Sequence, residues 1–151
     1  MNKIIELFSA LLTPTLAVVA VYIAYHQFKI NRYKARVDLY EKRFHMYQKA
    51  LDLIQRMSNG NESPDEIVLE FKKSTAGAYF LFGEEVGKYF NTLCEKAIEY
   101  QLIEEQLRKL PYSEEEQLSK RDDKLKIKKW FFSQFEESRS YFIKYLKFDE
   151  I

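Results

Sequence analysis

Between Glu6 and Lys29 the chain carries no Asp, Glu, Lys or Arg. This 22-residue run, LFSALLTPTLAVVAVYIAYHQF, limits what the rest of the chain can be. As a helix it reaches roughly 33 Å, enough to cross a hydrocarbon core of ~30 Å. Tyr22, Tyr25 and His26 fall near its C-terminal end, where amphipathic rings belong in an interfacial belt. Lys29, Arg32, Lys34 and Arg36 follow directly, against Lys3, the terminal amine and an opposing Glu6 on the other side. The positive-inside rule then leaves the few N-terminal residues outside and the long C-terminal part in the cytoplasm. The run predicts a transmembrane anchor over 1–28 and a cytoplasmic domain over 29–151.

Two other origins of such a run fit less well. A cleaved signal peptide needs a basic start and a small-x-small cleavage site. Here Glu6 weakens the start, and Val-Tyr-Ile-Ala-Tyr occupies the place of the site. A buried core helix with 22 uncharged residues is long for a chain of 151. Pro14 is tolerable inside a membrane helix, where neighbouring groups re-satisfy the freed carbonyl. Thr13, Ala17, Ala20 and Ala24 share one face, and small residues on a face let two membrane helices approach closely. They are the expected self-association face. Lys29, Arg32, Lys34 and Arg36 are the expected contacts to lipid headgroups, each worth ~1 kcal/mol beside an anionic surface.

Beyond the anchor every segment reads as helix. Tyr33, Val37, Tyr40, Phe44, Tyr47, Leu51 and Ile54 recur at alternating steps of four and three, and neither Gly nor Pro interrupts Phe28–Met57. The helix thus continues out of the membrane and stops at Ser58-Asn59-Gly60-Asn61, with Gly60 suited to a left-handed cap. The period permits a coiled-coil dimer, but four of the seven seam residues are aromatic, which favours an intramolecular bundle core. Ser63-Pro64-Asp65-Glu66 starts a short helix carrying Ile67, Val68 and Phe71. The passage Ala76–Gly83 is expected to be buried through Tyr79, Phe80, Leu81 and Phe82. A helix from Glu84 to about Leu110 places Val86, Phe90, Leu93, Ala97, Ile103 and Leu107 on one side, and Pro111 ends it. Ser113-Glu114-Glu115-Glu116 is a capping box opening the last helix, whose apolar content is Leu118, Leu125, Trp130, Phe131, Phe135, Phe142 and Tyr145. The expected fold is all-α: a transmembrane helix continuing into a long helix, followed by a small antiparallel helical bundle.

Charge is segregated along the chain. Lys29–Met57 holds eight Lys/Arg against three Asp/Glu, Glu62–Glu116 six against thirteen, and Gln117 to the end nine against six. Basic and acidic helices attracting each other within one bundle account for this better than separate faces for lipid or nucleic acid and for a partner.

Chemistry is sparse. The four glycines are isolated, so no phosphate-cradling loop exists, and HExxH, Cys-x-x-Cys and G-x-S-x-G are absent. One cysteine and two histidines are too few soft ligands for a structural zinc, and a lone cysteine forms no internal disulfide. His45 has no acid or nucleophile in a partner motif, and Cys94 beside Leu93 reads as a small core residue. Glu84-Glu85 and Glu104-Glu105 lack the Glu-x-x-His of a di-metal bundle and read as solvated faces. Lys120, Arg121, Lys124, Lys126, Lys128 and Lys129 precede Trp130-Phe131-Phe132, an arrangement that binds single strands elsewhere. An Asp122–Lys126 pair and a core role for the rings weigh against nucleic acid. The residues point to no enzyme, no cofactor and no small-molecule substrate.

Several blocks in order resemble a group of uncharacterised bacterial proteins with one membrane helix and a helical domain. They are A-x-Y-I-A-Y-x-Q (Ala20–Gln27), N-x-x-K (Asn31–Lys34), D-L-Y-E-K-R-F-x-x-Y (Asp38–Tyr47), F-L-F-G (Phe80–Gly83) and W-F-x-x-Q-F (Trp130–Phe135). The resemblance covers nearly the whole chain and implies a bacterial inner-membrane location, with no catalytic residue to transfer. By analogy with small helical subunits found beside defence genes, the expected role is a scaffold or accessory/effector subunit presenting its bundle to a protein partner. The alternative is an effector that homo-oligomerises through the small-residue face and depolarises the membrane.

Overall fold

A computed structural model describes residues 2–60, 64–109 and 112–147, giving backbone alone for residues 2–10, Thr13 and Pro64. The described residues form five helices: α1 (Asn2–Asn59), α2 (Pro64–Ser74), α3 (Ala78–Phe82), α4 (Glu84–Lys109) and α5 (Glu114–Leu146). The all-α class is as expected. Two compact units divide the chain, Met1–Leu39 and Tyr40–Ile151.

The first unit is the N-terminal part of α1. Pro14 is its one helix-breaking residue, and at the next position the Thr15 hydroxyl donates back one turn to the Leu11 carbonyl at 2.7 Å. Large apolar side chains from Leu11 to Tyr33 are exposed along it. Among the described residues, however, no helix is long and apolar enough to cross a membrane. The side chains of Leu7–Ala10 and Thr13, which open the expected span, lie outside the described residues. From Pro14 onward, Thr15, Tyr22, Tyr25, His26 and Gln27 dilute the apolar content. The fold therefore supports an all-helical chain and leaves the transmembrane helix unsupported.

The second unit is a helical bundle. α4 packs against α2, α3 and α5, placing it at the centre. Residues 40–59 of α1 join through Ala50, Leu53, Ile54 and Met57, all buried. α1 ends as the sequence suggests: Gly60 has φ 66° and its N–H donates to the Arg56 carbonyl at 2.9 Å. α5 opens on the expected box. The Glu116 N–H donates to Ser113 Oγ at 3.4 Å, and the Ser113 N–H donates to Glu116 Oε2 at 3.0 Å. The expected start of α2 at Ser63 lies outside the described residues.

Rings fill the bundle. Phe142 is 1% exposed and meets Tyr47, Phe82 and Phe90 at centroid distances of 5.0, 5.2 and 5.6 Å. Phe71 lies edge-on to Phe90 at 5.1 Å. Tyr89 stacks on Tyr141 at 4.3 Å. Burial, reinforced by the Glu137 carboxylate, pushes the Tyr89 hydroxyl well above its usual range and keeps it neutral.

Three expectations about the core need correction. Of the Tyr33–Ile54 seam, Ile54 is fully buried and Tyr47 and Leu51 are half-buried, whereas Tyr33 and Phe44 are exposed. The inward face is rotated to Ala50, Leu53 and Met57, because a 3.5-residue repeat drifts around a 3.6-residue helix and the small Ala50 admits close neighbours. In the Ala76–Gly83 passage Phe82 is buried, but Phe80 is 91% exposed and Tyr79 46%. The five-residue α3 turns successive side chains by about 100°, so it cannot direct four adjacent large side chains inward. In α5, Leu118, Leu125 and Phe132 are exposed, while Ile127, Phe131, Gln134, Ser138 and Phe142 face in.

Candidate functional site

The richest surface feature lies on the first unit. Lys29 sits over the Tyr25 ring at 5.4 Å, and Arg32 over the Phe28 ring at 5.7 Å. With Tyr33 and Arg36 they line a shallow concavity of about 290 Å³. Spacings of three and four residues put Lys29, Arg32 and Arg36 on one side of α1, and the rings beneath them lengthen the apolar surface each cation rests on. Lys34 is exposed and absent from this concavity. Three of the four residues expected at lipid headgroups thus form one cation–aromatic collar, and the fourth stands apart. Ala17, Ala20 and Ala24 of the expected self-association face are exposed, and the Thr13 side chain lies outside the described residues.

The second basic cluster serves the bundle itself. Lys120 donates to Gln106 at 2.6 Å and lies over the Tyr112 ring at 5.0 Å. Lys124 pairs with Glu104 at 3.2 Å and lies over the Tyr100 ring at 4.8 Å. Lys126 pairs with Asp122 and Asp123, each at 3.0 Å, which hold its pKa above the usual lysine value. Lys128 donates to the Asn59 carbonyl at 3.2 Å, a cation at the C-terminal end of α1 where the helix dipole favours one. Four of the six cations therefore have partners within the second unit. Among these four, the Lys124–Glu104 pair joins α5 to the acidic α4, whereas Lys126 pairs within α5 and Lys120 and Lys128 meet uncharged acceptors.

No other constellation among the described residues suggests chemistry. Among the described residues no group of three or more His, Cys, Asp or Glu could hold a metal ion. His45 is exposed. Cys94 is buried, and burial pushes its thiol pKa up, the opposite of what a nucleophile needs. Glu84 pairs with Lys88 at 2.8 Å and Glu85 with Lys144; Glu104 and Glu105 also have cation partners. A groove of about 370 Å³ between α4 and α5 is rimmed by Lys96, Glu99, Asp123 and Lys126. Its rim charges neutralise one another through the Lys96–Glu99 and Lys126–Asp123 pairs.

No family model, curated protein or solved structure matches the chain. The reading of function therefore rests on these residues alone.

Arg43 is the structurally important cation that sequence reasoning passed over. Its Nε donates to the Leu81 carbonyl at 3.1 Å and its Nη1 to the Tyr145 carbonyl at 3.5 Å. These carbonyls belong to the last turns of α3 and α5, where helices leave acceptors unsatisfied. Tyr145 adds a hydroxyl bond to the Phe82 carbonyl. The available signal was a cation within the apolar seam, one residue before Phe44.

Proposed function

We propose that the chain is a membrane-anchored helical scaffold or accessory subunit of a bacterial inner membrane. Residues 1–28 hold it, and the bundle is presented to a protein partner in the cytoplasm. The observation that carries this reading is the row of exposed apolar side chains on α1 ending at the collar of Lys29, Arg32 and Arg36 over Tyr25 and Phe28. Large apolar side chains exposed along several turns need a cover, and bilayer hydrocarbon is one that ends naturally at a belt of rings and cations. The charge-free run in the sequence supports the same reading, since it begins before the described side chains do. Positive residues on the C-terminal side favour a cytoplasmic bundle.

The test is flotation with vesicles of phosphatidylethanolamine and phosphatidylglycerol, followed by alkaline carbonate extraction. The full chain is expected to float and to resist extraction. Val19→Arg, which puts about 2.5–3.5 kcal/mol of penalty near the centre of the run, is expected to leave the membrane fraction. A full chain that stays in the supernatant would overturn the anchor.

A further inference from the structure

We infer that α1 pairs in parallel with α1 of a second copy through a stripe formed by Ile23, Ile30, Tyr33 and Val37. The parallel direction rests on the membrane reading, because two anchors entering one bilayer the same way set their helices side by side in one direction. Ile23, Ile30 and Val37 recur every seven residues, and Tyr33 stands three after Ile30. In an unsupercoiled helix this repeat drifts only about 20° per heptad, so the four lie on one stripe. Ile23, Ile30 and Tyr33 are 48%, 53% and 60% exposed, and Val37 is half-buried.

The stripe carries marks of a helix partner. Its seven-residue positions are Ile, Ile and Val, the β-branched type that two-stranded parallel coiled coils take there. The positions three further on hold His26, Tyr33 and Tyr40 in place of the usual leucine, so the aliphatic positions and the flanking charges carry the pairing. Ile30, Tyr33 and Val37 follow Lys29, so in the anchored chain they stand beyond the hydrocarbon, where lipid tails do not cover them. The flanking charges choose the same partner. In an in-register parallel pair, the residue before one heptad position faces the residue five further along the other helix. That rule sets Arg36 against Glu41 of the second copy, twice by symmetry. The preceding pair, Lys29 against Lys34, is like-charged and subtracts from the gain by the modest amount exposed pairs carry. Sharing one bilayer raises the effective concentration of the two helices, so a short stripe suffices.

The test uses the full chain in the same vesicles, with Cys94→Ser removing the one native thiol. Ile30→Cys and Val37→Cys lie on the stripe; Ala35→Cys lies on the opposite, exposed side. Mild oxidation is expected to give disulfide-linked dimers at 30 and 37 and to lose them at 35. Arg36→Glu is expected to weaken cross-linking at 37 by about three- to tenfold, and adding Glu41→Arg to restore it. Equal cross-linking at all three positions, or none at 30 and 37, would overturn the inference, as would a charge reversal without effect. Flotation of the same samples is read separately. Chains that float without the cross-linking pattern overturn the pairing alone, and chains that cross-link without floating overturn the anchor and with it the stated reason for a parallel pair.

Discussion

Phe142 offers the sharpest test of how the bundle is held together. Its ring is 1% exposed and meets Tyr47 of α1, Phe82 of α3 and Phe90 of α4 within 5.6 Å. Truncation to alanine removes the buried ring and leaves a cavity that three separate helices would have to collapse together to fill. Such Phe→Ala changes cost about 3–5 kcal/mol, and the three ring–ring contacts argue for the upper half of that range. For a unit of this size that is a fall in thermal midpoint of about 15 °C or more. Phe80 supplies the control: it has the same chemistry two residues before Phe82 but is 91% exposed, so Phe80→Ala should stay within about 0.5 kcal/mol. Trp130, the single tryptophan, is half-buried against Phe131 at 5.1 Å, so its fluorescence reports unfolding of the second unit. Urea titrations of the full chain in mild detergent should show a lowered midpoint for Phe142→Ala with little change in slope. A loss below about 1 kcal/mol, or an equal loss for Phe80→Ala, would refute the ring-centred account of the core.

Three further outcomes follow from the same geometry. Arg43→Met removes donors to the last turns of α3 and α5 while keeping an apolar stem, and should cost about 1–3 kcal/mol in the same titration; Arg43→Lys should recover only part, since one ammonium cannot reproduce the two-pronged reach. Gly60→Ala should cost about 1–2 kcal/mol, because φ is 66° there and the new methyl would press on the Lys128 ammonium and fall 2.8 Å from the Tyr100 hydroxyl oxygen; a neutral result would show that α1 does not end as described. Ser113→Ala should cost about 1 kcal/mol by urea titration at neutral pH. The Ser113 backbone N–H, then its hydroxyl, hold Glu116 below the usual carboxylate range. A carboxylate depressed in the folded state adds stability above its unfolded pKa and loses it as pH falls through the folded value. The gap in stability between native and Glu116→Gln chains should therefore narrow on acidification below about pH 4, and a gap that widened would contradict the cap.

Much of the architecture was legible in the residues because it is decided within a few positions of the chain. Gly60 stops α1 since a left-handed residue there carries no Cβ penalty, and the Ser113–Glu116 box opens α5 through bonds spanning three residues. The segregation of basic and acidic helices is met by the Lys124–Glu104 pair, whereas Lys128 lies on the Asn59 carbonyl at the end of the basic α1, a contact the charge pattern did not point to.

What tertiary structure alone decided is which apolar residues face inward. Phe80 and Phe82 are chemically equivalent in the sequence, yet one is exposed and the other lies against Phe142, because the rotation of a five-residue helix is set by the helices it packs on. The seam from Tyr33 to Ile54 reads as one continuous stripe, and periodicity cannot show where along it the covering helices begin. Arg43 escaped notice for the same reason: its acceptors, the carbonyls of Leu81 and Tyr145, come from 38 and 102 residues away. Local bonds and caps are written in the order of residues, whereas the choice of buried face belongs to surfaces that meet only after the chain has folded.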